Sequence, residues 1–97
     1  MHVISPKAIR DAKVTYPKAS NALNNWLNLM EKNQFKNFAE LKNTFGSVDK
    51  INDLYVFDIG GNNIRIIASI HFNRGKIYVR KVLTHKQYDK GNWKQDK

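Results

Sequence analysis

Apolar residues recur at helical spacing in the first half of the chain and at strand spacing in the second. His2 to Ile4 is a short apolar piece suited to an edge strand. Ser5 then stands as an N-cap with Pro6 at the first helical position, where a missing N–H costs nothing. Ala8, Ile9, Ala12 and Tyr16 share a helical face, and Pro17 ends that helix. From about Ser20, Leu23, Trp26, Leu27 and Met30 form an i, i+3, i+4, i+7 stripe opposite Asn24, Asn25, Asn28 and Lys32. That spacing accounts for Trp26 and Met30 as core residues without invoking a ligand pocket. Asn37 with Glu40 has the form of a capping box, and Phe38, Leu41 and Phe45 fall on one face of a third short helix ending near Gly46. The rest of the stretch from Lys32 to Tyr55 reads as connector, with Lys50 facing either solvent or a phosphate.

The remainder predicts sheet. Tyr55 to Ile59 alternates, Gly60-Gly61-Asn62-Asn63 tolerates positive φ, and Ile64 to Phe72 alternates again, as an antiparallel hairpin does. A second turn at Asn73-Arg74-Gly75 leads into Ile77 to Leu83. Alternation assigns Ile64, Ile66, Ala68, Ile70 and Phe72 to the helix-covered face and Arg65, Ile67, Ser69 and His71 to the other. In the last strand Ile77, Val79 and Leu83 belong with the core, and Tyr78, Arg80, Val82 and Thr84 with Arg65. Lys81 breaks this parity and predicts a bulge or an early strand end. The resulting class is α+β, with N-terminal helices on one face of a small, mainly antiparallel twisted sheet. The final GNWKQDK carries no element pattern, which leaves it disordered or ordered only by a partner.

At 97 residues the chain has room for one domain and one modest core. Cysteine is absent, so neither disulfides nor thiolate metal sites enter, and a reducing cytoplasm is the natural compartment. No apolar run approaches signal-peptide or membrane-span length. The formal charge of +9 is unevenly placed: residues 1–64 carry eight basic and six acidic side chains, residues 65–97 nine and two. A basic C-terminal third calls for a polyanion, most simply nucleic acid, or for an acidic protein partner, although a merely solvated basic surface has the same composition.

Candidate chemistry gathers there. Arg65 and Arg80 rise from adjacent strands onto the face away from the helices, and the following residues bring His85 and Tyr88 to its rim. Arginine grips phosphate bidentately, histidine exchanges a proton near neutral pH, and tyrosine stacks on a base or donates a hydrogen bond. Each alone has an ordinary structural explanation; the convergence of four makes a candidate site. His2 and His71 are taken as structural. No set of side chains has metal-ligand spacing, no glycine loop cradles phosphate, and Asp58 and Asp89 sit in separate elements without an acidic partner. Any catalysis therefore runs on cationic and neutral groups.

The stretch VFDIGGNNIRIIASIHF followed by IYVRKVLTHKQYDK, with the SPKAIRDA start and the Tyr16-Pro17 stop, resembles the HigB-type toxins of bacterial type II toxin–antitoxin pairs, within the RelE/ParE toxin superfamily. The similarity runs over nearly the whole chain, and the THxxYDK ending is its most specific part. The resemblance implies a RelE-like microbial ribonuclease fold and a ribosome-dependent mRNA endonuclease that uses neither metal nor cofactor: the ribose 2′-OH attacks the neighbouring phosphate. It further implies neutralisation by a cognate HigA-like, helix-turn-helix antitoxin, with operator DNA reached only through that complex. Carried over by position, Arg65 and Arg80 stabilise charge, His85 transfers protons and Tyr88 places base or ribose. Lys81, Lys86, Lys90 and Arg74 are candidates for holding RNA backbone. Two other activities stay open at this level: a ParE-like gyrase-inhibiting toxin on the same fold, which needs no RNA-cleaving group, and a non-catalytic nucleic-acid-binding module.

Overall fold

The computed structural model describes residues 1–4, 6–60 and 64–95. Chain order is β1 (His2–Ile4), α1 (Lys7–Thr15), α2 (Ser20–Lys32), α3 (Phe38–Thr44), β2 (Asp49–Ile51), β3 (Leu54–Ile59), β4 (Ile64–His71), β5 (Lys76–Thr84) and α4 (His85–Asp89). Short 3-10 turns at Pro17–Ala19, Phe72–Arg74 and Asn92–Gln95 join or end them. The expected cap at Ser5 and most of the Gly60–Asn63 turn lie outside the described residues. At α3 half of the expected capping box forms: the Asn37 side chain accepts from the Glu40 amide, but the Glu40 carboxylate accepts from the amide of Lys36, one residue before the cap, and not from that of Asn37. Among the described helices none is long and apolar enough to cross a membrane.

The five strands form one sheet in the order β1-β5-β4-β3-β2, antiparallel except for the β1–β5 pair. β2 was not predicted: only Ile51 of its three residues is apolar, and pairing with β3 rather than any pattern of its own makes it a strand. The predicted bulge exists, with a different centre. Ile67 pairs with Lys81 and Ala68 with Val79, so Arg80 is the extra residue. One inserted residue reverses the parity of everything after it. Val82 therefore lies opposite Ile66 and Thr84 opposite Ile64 on the core side, while Leu83 lies opposite Arg65 on the other. This corrects the expected faces of Val82, Leu83 and Thr84.

α1, α2 and α3 cover one face. Ile9, Leu23, Trp26, Met30 and Leu41 pack against Phe57, Ile66, Ala68 and Ile77 to form the main core, with Trp26 edge-on to Phe57 at 5.3 Å between centroids. The α-ammonium of Met1 donates to the carbonyls of Met30 (2.6 Å) and Asn33 at the end of α2, where helix carbonyls lack intrahelical partners. The opposite face is not bare. Val56 and Ile67 are sealed by Trp93, only 3% exposed, with Leu54, Leu83 and Tyr88 around them. The tail through Gln95 is thus folded back on the sheet of its own chain, where the sequence left open either disorder or ordering by a partner. Trp93 supplies the reason: an indole buries enough apolar area to hold a short segment in place.

Candidate functional site

The site grows from the junction of β5 and α4. Thr84 ends the strand and caps the helix: its hydroxyl accepts from the Gln87 amide at 3.1 Å, and the Gln87 side chain accepts from the Thr84 amide at 3.0 Å. This reciprocal box turns the chain sharply and lays His85 and Tyr88 back over β4. The T-x-x-Q spacing is a helix-start signal legible in the sequence, although the strand pattern ending at Leu83 alone predicts no helix here.

Beneath α4 lies Arg65, 7% exposed. Its Nε bonds Asp58 Oδ1 at 2.8 Å, the partner directly across from it on β3. Its Nη2 lies 3.0 Å from His85 Nδ1, and its guanidinium sits 5.2 Å from the centroid of the Tyr88 ring. Guanidinium has donors only, so Nδ1 accepts and the neutral ring carries its proton on Nε2. Nε2 in turn faces Asp89 Oδ2 at 3.2 Å, one helical turn on. The result is a chain of charge-assisted contacts, Asp58–Arg65–His85–Asp89, whose His85 end is exposed to solvent and whose Arg65 centre is closed off.

Tyr88 is held equally firmly. Trp93 stacks on it at 5.0 Å and 15°, and the indole N–H donates to the Tyr88 carbonyl at 2.9 Å. Burial pushes the Tyr88 phenol above its usual pKa; Arg65 pulls it down, and Asp49, Asp58 and Asp89 push it further up. With Arg65 and Trp93 both against the ring, its faces are spent on protein, so the hydroxyl rather than the π-surface is what Tyr88 offers a ligand. Trp93, Asp58 and Asp89 are the three members of this site that sequence reasoning missed. Asp58 became visible only once the β3–β4 register set it opposite Arg65.

Arg80 shares the sheet face but not the cluster. As the bulged residue it is exposed and reaches along β4, Nε donating to Ser69 Oγ at 3.0 Å. Ser69 is four residues from Arg65, roughly 13 Å at 3.3 Å per residue. Lys81 is half-buried opposite Ile67 on the same face, and Lys86 and Lys90 are exposed on and just beyond α4. Arg74 is elsewhere: it precedes β5, whose nine residues span roughly 30 Å, and it lies beside Met1 and Lys32 at the far end of the sheet.

A family model described as HigB_toxin, the RelE-like toxic component of a toxin–antitoxin system, matches residues 9–91. The chain belongs to the HigB toxin family. A curated relative, the mRNA interferase toxin HigB of Escherichia coli strain K12, is 41% identical over 92 residues, covering 92% of this chain and 88% of that protein. The mRNA interferase HigB of Shigella flexneri matches to the same extent. That of Escherichia coli O6:H1 is 32% identical over 93 residues, covering 93% and 90%. The family match takes in Asp58, Arg65, Arg80, His85, Tyr88 and Asp89, so the contact chain lies within the part of the molecule that the family shares.

Proposed function

We propose that the chain is a toxin that cleaves messenger RNA on the translating ribosome in the cytoplasm, and that a HigA-like, helix-turn-helix antitoxin neutralises it. Operator DNA is reached only through that complex. In this chemistry the 2′-oxygen attacks the adjacent phosphorus and the P–O5′ bond breaks, leaving a 2′,3′-cyclic phosphate and a 5′-hydroxyl. One proton leaves the 2′-oxygen and one reaches the 5′-oxygen, so the site needs a proton carrier and cations near the crowded phosphate. The observation that carries the reading is the exposed His85 ring fixed at both nitrogens, by Arg65 and by Asp89.

His85 is the proton carrier. Its free lone pair, on Nδ1, is held by Arg65, so taking a proton there requires the guanidinium to let go. An arriving phosphate competes for the same Nη2 donor, which couples substrate arrival to release of the base. Arg65, closed in and paired with Asp58, acts chiefly by orienting His85 and meets the phosphate only at its exposed corner. Arg80, with Lys86 and Lys90 on the rim, supplies the accessible cations, and the Tyr88 hydroxyl places the ribose or leaving oxygen.

His85→Ala should abolish growth arrest and the appearance of new transcript ends on induction, while the variant melts close to the wild type and still binds antitoxin. Cleavage by His85→Ala at the wild-type rate would remove His85 from the mechanism. New ends that persist unchanged when translation is blocked would remove the ribosome from it.

A further inference from the structure

Beside the Trp93 edge of the site, on the same sheet face, lies an open cleft of about 660 Å³, within the usual range for small-ligand sites. Leu54 and Trp93 line its apolar part, Arg80 and Lys94 contribute cations, and Asn52 and Asp53 stand at one wall. Trp93 belongs to both features: it stacks on Tyr88 and also borders the cleft. The cleft therefore adjoins the His85–Tyr88 cluster through Trp93.

Asp53 decides what the cleft is suited to hold. A groove for phosphate alone has no use for a carboxylate, which repels the ligand. Yet Asp53 is exposed in the two-residue turn joining β2 to β3 and has no hydrogen bond or ion pair among the described residues. Asn52 holds that turn at φ 56°, a conformation asparagine tolerates better than most residues, and the turn sets the Asp53 backbone at the wall of the cleft. An apolar floor for a base, cations for its phosphate and a carboxylate for its edge together describe a nucleotide site. Guanine alone among the RNA bases presents two adjacent donors, N1–H and the 2-amino group, to match the two oxygens of a carboxylate. Adenine and cytosine set an acceptor beside their amino group, and uracil flanks its one N–H with carbonyls.

We infer that this cleft binds a guanine base of the RNA strand flanking the cleaved linkage, with Asp53 accepting from its N1–H and 2-amino groups and Arg80 and Lys94 on its phosphate. The inference rests on the RNA-cleaving function proposed above. The offset from Arg65 to the Ser69–Arg80 contact is roughly 13 Å at 3.3 Å per residue. That exceeds the rise of about 3.4 Å per nucleotide in a stacked strand, so the base read is a neighbour of the reacting ribose, not its own base.

The test is to map transcript ends after induction of the wild type, Asp53→Asn, Asp53→Ala and Asn52→Gly, the last of which keeps the positive φ and removes the amide. Guanine should be enriched at one fixed offset from the wild-type cuts. Asp53→Asn and Asp53→Ala should each lower the ratio of guanine to non-guanine sites about tenfold, the size of one lost bidentate contact. Asn52→Gly, with the carboxylate retained, should keep the preference. Asp53 is exposed, so thermal unfolding close to the wild type should accompany both of its variants. No enriched base at any offset in the wild type, or the same enrichment in folded Asp53→Asn, overturns the inference while leaving RNA cleavage intact. A wild type that produces no new ends overturns the cleavage reading itself.

Discussion

Replacing Asp58 by asparagine asks whether the buried arginine is held by charge or only by shape. Arg65 is 7% exposed, and its Nε bond to Asp58 at 2.8 Å is the closest of its contacts given above. Removing one partner of a fully buried ion pair costs about 3–5 kcal/mol. Here the Asp58 side chain is 29% exposed, so water reaches the gap, and the amide retains an acceptor oxygen. The loss should therefore be nearer that of a hydrogen bond to a charged group, about 1.5–3 kcal/mol. For a domain of this size, that lowers the melting temperature by about 6–24 °C at about 4–8 °C per kcal/mol. The difference should survive about 1 M salt, because a pair this enclosed is poorly screened. Asp58→Asn with Arg65→Met removes both charges and leaves a flexible apolar chain under Tyr88, so the double variant should recover to within about 1 kcal/mol of the wild type. It should nevertheless fail to arrest growth, since His85 has lost its orienting donor. Thermal unfolding of Asp58→Asn, Arg65→Met and the double variant, followed by circular dichroism and run as a double-mutant cycle, measures the energies, and induction in cells reads the arrest. If Asp58→Asn melts within about 0.5 kcal/mol of the wild type, or the double variant is no better than the single, the charge-pair argument is wrong.

Thr84→Ala removes one half of the box that starts α4 and should cost about 1 kcal/mol; as α4 is short and terminal, activity should fall more than the global melting temperature, and hydrogen exchange at Gln87 should rise. Trp93→Ala should free the tail, visible as faster amide exchange or proteolysis beyond Lys90, with loss of up to about 3–5 kcal/mol if the segment unfolds together with the rest and less if it peels away alone. The same variant tests the burial of Tyr88. The raised phenol means that the unfolded chain loses that proton first as pH rises past about 10, so stability falls above that pH and is unaffected below it. Exposing Tyr88 should bring its ultraviolet titration back toward the ordinary value and flatten this alkaline loss.

Much of the helical layer was legible because its information is local. The Leu23, Trp26, Leu27, Met30 stripe, the Asn37–Glu40 cap and the alternation of Ile64, Ile66 and Ala68 each follow from one side chain's distance to the next in a regular backbone. β2, with one apolar residue in three, had no pattern to read and exists because β3 offered it an edge. The tail stayed open for the opposite reason: a single tryptophan among polar neighbours has no periodicity, and its value emerged only where Val56 and Ile67 gave it a surface to cover.

The sequence by itself determined the α+β class, the core stripe of each helix, the basic C-terminal third and the THxxYDK ending that marks the family. Tertiary structure decided which of those groups meet. A one-residue bulge at Arg80 changed which side chains of β5 face the core, moved that arginine out along β4 and left Arg65 to pair with Asp58 under α4. Side-chain type is a property of the chain, but parity after an insertion depends on which partner strand yields, and that is settled by packing between residues distant in sequence.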